Sequence, residues 1–221
     1  MWGTMMRGAA IAALIAAVVG LSAVPAQAAP ASAGGSTSHR ATFTVLGDSN
    51  TTGRSPSLAE GVARGVSWTT AARYNGGSLV GGYAGNGWTM PMLAGVARPA
   101  AADILVIMAG TNDIRRGVTF AESRRALDLA VSKSAVKTVL LLAIPPRDNA
   151  GTVTNTWNSN LAKVAATRGW TFFDPWTQFR AKDGRWINAQ DTSDGVHGTN
   201  ATYRLMGQTV GIKLSAMRTR T

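Results

Sequence analysis

Residues 103–113 read Asp-Ile-Leu-Val-Ile-Met-Ala-Gly-Thr-Asn-Asp. The run Asp103–Ala109 is near-continuous Ile, Leu, Val and Met, without the polar alternation of a half-exposed strand. That pattern predicts a strand buried on both faces. The polar turn Gly110-Thr111-Asn112-Asp113 ends it. Thr138–Ile144 is a second run of the same kind. Thr42–Leu46 is shorter and β-prone, Ser78–Ala84 is weaker and glycine-rich, and Trp170–Phe173 is the last.

Helical patterns alternate with these five runs. Trp68–Tyr74 follows Ser67, and Met90–Val96 tolerates Pro91 only in its first turn. Thr119-Phe120-Ala121-Glu122 has the spacing of a capping box, ahead of Phe120, Leu127 and Val131 near one helical face. Asn155 is placed to cap a helix with Trp157, Leu161 and Val164 on its inner side and Gly169 as its stop. Thr199 or Asn200 starts a last helix carrying Tyr203, Met206, Val210, Leu214 and Met217 at three- and four-residue steps. Buried strands alternating with helices predict a parallel sheet covered on both sides, and right-handed crossovers make it a three-layer α/β/α sandwich with five strands. No internal repeat and no second domain is visible.

The flanks read differently. Arg7 gives a short positive start, Gly8 to Val24 is apolar, Pro25 breaks the run, and Ala26-Gln27-Ala28 is a small-residue cleavage site. Residues 1–28 therefore read as an export signal, in preference to an uncleaved membrane anchor, because the run is short for a span. Residues 29–40 are rich in Ala, Ser, Gly and Thr and read as a disordered leader into a domain over 41–217, with 218–221 as a basic tail. The expectation is a secreted monomer with no stable membrane insertion after cleavage.

The chain has no Cys, which excludes thiol catalysis, a disulfide framework and Cys-based metal sites. The net charge is +11, with 17 Arg against 5 Lys. This reads as a solvated basic surface able to associate with anionic cell-wall polymer. No nucleic-acid-binding motif accompanies it, so no nucleic-acid partner is expected.

Ligands of such sheets bind beyond the carboxyl ends of the strands. Gly47-Asp48-Ser49 leaves the first strand, Gly85-Asn86-Gly87 the second and Gly110-Thr111-Asn112-Asp113 the third, while Asp194-Gly195-Val196-His197 follows the fifth at greater distance. Ser49 is the candidate nucleophile, which needs an adjacent base at neutral pH. His197 is the candidate base: the only other histidine, His39, lies in the leader. Asp194, three residues before His197, is placed to hold the imidazole, with Asp191 as a competitor. Asn112, the Ser49 amide and Gly87 are candidate oxyanion donors, with Gly85 as the alternative to Gly87. Asp48 and Asp113 are read as loop-holding carboxylates; neither belongs to a cluster with metal-ligand spacing.

Gly47-Asp48-Ser49-Asn50-Thr51-Thr52-Gly53, Gly87-Trp88-Thr89, Gly110-Thr111-Asn112-Asp113 and Asp194-Gly195-Val196-His197 together resemble the SGNH/GDSL hydrolase family. The blocks stand in that family's order from Thr42 to the last helix. The resemblance implies a flavodoxin-like three-layer sandwich. It also implies a nucleophile at Ser49, oxyanion donors at Ser49, Gly87 and Asn112, a triad completed by Asp194 and His197, and no metal or organic cofactor. Asn50 departs from the usual Leu and is expected to add a polar contact in the pocket. No Gly-x-Ser-x-Gly elbow occurs.

The expected activity is that of a serine esterase acting on short acyl or acetyl esters, carbohydrate esters included. Trp88 and Trp186 are candidates for stacking on a sugar, lining an acyl pocket, or simply packing. Lipase or lysophospholipase action is the enzymatic alternative. A non-catalytic wall-polymer-binding protein on the same scaffold is the alternative from another class.

Overall fold

The computed structural model describes residues 40–53 and 65–218. The expected export signal over 1–28, positions 29–39 of the expected leader, His39 among them, and residues 219–221 of the expected basic tail lie outside the described residues. Five parallel strands form one sheet in the order β2-β1-β3-β4-β5: β1 is Ala41–Gly47, β2 Gly77–Ala84, β3 Ile104–Met108, β4 Thr138–Leu142 and β5 Thr171–Phe173. All five expected strands are present, with ends moved by one or two residues.

The helices are α1 (Ser49–Thr52), α2 (Trp68–Tyr74), α3 (Met90–Val96), α4 (Thr111–Arg116), α5 (Phe120–Ser134), α6 (Gly151–Thr167) and α7 (Asn200–Met217). The capping box at Thr119 and Glu122 is formed in both directions. Thr199 caps α7 by accepting from the Thr202 N–H. One expectation fails. Asn155 caps nothing, because α6 already begins at Gly151 and the Asn155 side chain donates to the Lys182 carbonyl instead. A Gly and four alternating Thr, Val and Asn residues carry no cap signal, so the extra turn was invisible in sequence.

Strand β3 shows why both faces had to be covered. Ile104, Val106 and Met108 enter one apolar cluster with Trp68 of α2 and with Tyr203, Met206, Val210 and Leu214 of α7. Leu105 and Ile107 enter the opposite cluster with Leu93 of α3, Leu127 of α5 and Leu161 of α6. Each fully buried aliphatic side chain contributes roughly 1.5–3 kcal/mol from the hydrophobic effect. A strand with no polar face can collect that on both sides only in the middle of three layers.

The strand order creates the site's location. From β1 the chain goes to β2 on one side and then to β3 on the other, so the connections diverge between β1 and β3. Such a switch point leaves a crevice at the carboxyl edge. Gly47 pairs with Ala84 on one side and with Met108 on the other. Three strand exits are therefore level, and they deliver Ser49, Gly87 and Asn112 to the same rim.

Candidate active site

Ser49 is the first residue of α1, immediately after β1. Asp48 caps that short helix: its Oδ1 accepts from the Asn50 N–H at 2.9 Å, and its carbonyl accepts from the Thr51 and Thr52 N–H groups. The turn is tight enough that a Cβ on Gly47 would overlap the Thr51 side chain. Only glycine lets the chain double back here and lift Ser49 above the sheet.

Asp48 is buried, and Oδ2 has no hydrogen-bond partner. Burial pushes its pKa from the ordinary 3.8 up to about 7, against the Asn50 amide and the nearby His197, which pull it down. The carboxyl thus binds its proton more tightly folded than unfolded. Its contribution is fully present below pH 3.8 and is lost as pH rises through about 7. Asn keeps the capping oxygen and cannot ionise. Asp48→Asn is therefore expected to melt above the wild type beyond pH 7, with the two converging below pH 4. A thermal-denaturation series across pH checks this; parallel curves would refute it.

The second strand exit is clamped from both sides. The Gly85 N–H donates to the Gly47 carbonyl, and Thr52 Oγ1 donates to Asn86 Oδ1 at 2.9 Å. From the β3 side, Asn112 Nδ2 donates to the Trp88 carbonyl at 3.0 Å, and both Asp113 oxygens accept from the Met90 N–H. Gly87 sits between these clamps with φ +75°, a left-handed conformation that favours glycine. The Gly85 amide is engaged within the sheet edge, whereas Gly87 lines the same depression as Ser49 and Asn112. The loop-holding roles expected of Asp48 and Asp113 match these bonds.

His197 lies on the loop before α7. Its Nε2 is 2.9 Å from Ser49 Oγ, and its Nδ1 is 2.7 Å from Asp194 Oδ2. With Nδ1–H donating to the Asp194 carboxylate, Nε2 accepts from the serine hydroxyl. Asp194 Oδ1 accepts from the Val196 and His197 N–H groups, so one carboxylate holds both the ring and the loop. Partial burial works against that carboxylate. Hydrogen bonds from the His197 ring and from the two amides outweigh it and hold the Asp194 pKa below the ordinary range. Asp191 does not touch the imidazole. Its carboxylate accepts from Asn188 Nδ2, and its carbonyl accepts from Thr199 N–H and Thr202 Oγ1, tying the loop to α7.

Among the described residues, two depressions meet at the Ser49–His197 pair. One, about 500 Å³, runs toward Gln190, Ser193 and the start of α7. The other, about 490 Å³, is lined by Gly87, Asn112, Arg115, Arg147 and Val196. Neither arginine was singled out in the sequence, although Arg147 follows β4 as the other site residues follow their strands.

The candidate substrate contacts Asn50, Trp88 and Trp186 line neither depression. Asn50 is 0 % exposed, and its Oδ1 accepts from the Tyr203 hydroxyl at 2.8 Å. The polar side chain after Ser49 thus faces a buried hydroxyl beneath the site. Trp186 is buried edge-on against Trp176 and serves as packing. Trp88 is half-buried: its ring covers Gly85 and packs on the second apolar cluster.

The family model described as "GDSL-like Lipase/Acylhydrolase family" matches residues 45–205. No curated protein matches the chain significantly. Among solved structures, a catalytic mutant of an acetylxylan esterase from Geobacillus stearothermophilus is 19 % identical, covering 81 % of this chain and 97 % of that one with a TM-score of 0.64. An inhibitor-bound aryl esterase of M. smegmatis is 17 % identical, covering 80 % and 100 % at TM-score 0.59. A member of the lipolytic protein G-D-S-L family from Veillonella parvula is 21 % identical, covering 80 % and 99 % at TM-score 0.60. At these identities the likeness to the structures is one of fold.

Proposed function

The chain belongs to the GDSL-like lipase/acylhydrolase family, and on that premise we propose that it is a serine esterase whose reaction is carried by Ser49, His197 and Asp194. The observation that supports this most is the relay from Ser49 Oγ through the imidazole to Asp194, at 2.9 and 2.7 Å.

Ser49 Oγ attacks the ester carbonyl carbon while His197 Nε2 takes its proton. Asp194 stabilises the imidazolium that results. The carbonyl oxygen becomes an oxyanion, received by the amides of Ser49 and Gly87 and by Asn112 Nδ2. Collapse breaks the bond to the alcohol, which leaves with the proton from Nε2. Water, deprotonated by the same nitrogen, then attacks the acyl-serine, and the acid leaves as Ser49 regains its proton. The steps draw on this chain's side chains and backbone, with water as the acyl acceptor.

Asn112 is well supported for its role because its other amide hydrogen bond, to the Trp88 carbonyl, fixes its orientation. Preorganised donors of this kind are worth about 3–4 kcal/mol in the transition state. Asn112→Ala is expected to lower kcat by about 10²- to 10³-fold with a small change in KM. Steady-state kinetics on p-nitrophenyl acetate measure it, and a pure KM effect would contradict it.

We read the substrate as a short acyl or acetyl ester, carbohydrate esters included, met outside the cell by virtue of the export signal in residues 1–28. A panel of p-nitrophenyl esters of increasing chain length, beside acetylated glycans, tests this against lipase or lysophospholipase action. A fluorophosphonate probe tests the reaction class. Labelling at Ser49 is expected. Folded protein that is not labelled and binds anionic wall polymer in a salt-sensitive way would instead be a binding protein on this scaffold.

A further inference from the structure

We infer that the ester substrate carries an anionic group of the carboxylate class, received beside the reacting bond by Arg147 and Arg115. This rests on the esterase reading above and narrows its substrate.

Arg147 and Arg115 both line the depression that holds Ser49, His197, Gly87 and Asn112. Arg147 is only 5 % exposed. Its guanidinium donates to the Thr111 carbonyl at 3.2 Å, while its Nε has no partner. No carboxylate among the described residues forms an ion pair with Arg147, Arg115 or Arg116. The two helical arginines reach the same place. A Cβ built on Gly87 would lie 3.2 Å from a terminal nitrogen of Arg116 and 3.6 Å from one of Arg115.

Burying a cation without a counter-charge is costly. The guanidinium of Arg147 responds in that direction: burial, and then the neighbouring charge of Arg115, lower its pKa, with Asp48 opposing them. Folds keep such uncompensated charge where a ligand completes it. A carboxylate matches the planar fork of an arginine in geometry as well as in sign. A neutral acyl chain would bring these arginines no counter-charge.

The opposing explanation is that the arginines assist the oxyanion or merely hold α4. Both roles act on every ester alike, so the ratio of an anionic ester to its neutral isostere separates them from recognition. The anion sits on the acyl half or on the alcohol half, and two substrate pairs distinguish these. On the acyl side, p-nitrophenyl hemisuccinate is compared with p-nitrophenyl levulinate. On the alcohol side, 4-acetoxybenzoate is compared with its methyl ester.

In one pair the anionic member is expected to have a kcat/KM about tenfold above its isostere at low salt, shrinking toward parity near 0.5 M salt. Arg115→Gln, at an exposed position, is expected to remove most of that ratio. Arg147→Lys, which keeps charge but loses the fork, is expected to reduce it. Arg124→Gln, exposed on α5 and lining neither depression, is the control for net charge. Parity in both pairs, or a ratio that Arg115→Gln and Arg147→Lys leave intact, overturns the inference. No turnover of any of the four esters, with no fluorophosphonate label on Ser49, brings down the esterase reading and this inference with it.

Discussion

Ser49→Ala is expected to lower kcat for p-nitrophenyl acetate by about 10⁴- to 10⁶-fold, to the level left by binding and oxyanion contacts alone. The hydroxyl is the only group of Ser49 that the substitution removes. The Ser49 amide, which belongs to the proposed oxyanion site, stays. So do the Asp48 cap and the bonds from Thr51 and Thr52 that build the turn. Alanine is also a good helix former at this position. The melting temperature is therefore expected to move by no more than a few degrees. Loss of activity with an unchanged melting curve supports the nucleophile. Turnover within tenfold of wild type by a folded variant refutes it. Fluorophosphonate labelling should vanish in parallel, because the same oxygen attacks the phosphorus.

The second large effect is expected at Asp194. Asn in its place keeps Oδ1 for the Val196 and His197 amides, so the loop stays in position. What changes is the ring. The amide NH₂ now faces Nδ1 and favours the tautomer with the proton on Nε2, where the serine hydroxyl needs an acceptor. A loss of kcat between about 10²- and 10⁴-fold is expected. The Asp194 side chain is 51 % exposed, which places the effect toward the lower end, since water screens part of the charge. Asp191→Asn is the matched control: that carboxylate touches Asn188 and not the imidazole. Equal losses at 191 and 194 would mean that the loop as a whole, and not one carboxylate, carries the effect. Kinetics on both variants decide it.

Much of this was legible residue by residue. β3 and β4 were marked most plainly, by unbroken apolar runs, because burial on two faces leaves no room for polar alternation. Thr119 and Thr199 were legible as caps, because capping is a local bond over three residues. Asn155 was not, since its best partner, the Lys182 carbonyl, is 27 residues away. The same distinction runs through the site. The choice between Asp191 and Asp194 turns on which carboxylate the loop aims at the ring, and the pull of α7 on the Asp191 carbonyl is a tertiary matter. Gly87 is separated from Gly85 by a hydrogen bond to Gly47, on a different strand. Asn50 looked like a pocket residue because of its place after Ser49. Its partner, Tyr203, is 153 positions away.

Local chemistry in the chain was enough for the class of fold, the order of the motifs and the kind of reaction they suit, since strand burial, turn residues and residue type act over a few positions. The relay itself joins residues 148 positions apart. It exists because parallel pairing sets the ends of β1, β2 and β3 level, and because α7, packed across β1, draws the last loop over that edge. The convergence of Arg115 and Arg147 on the same depression has the same origin. Nothing near either arginine in the chain announces the other, and only the closing of the sheet brings their charges together.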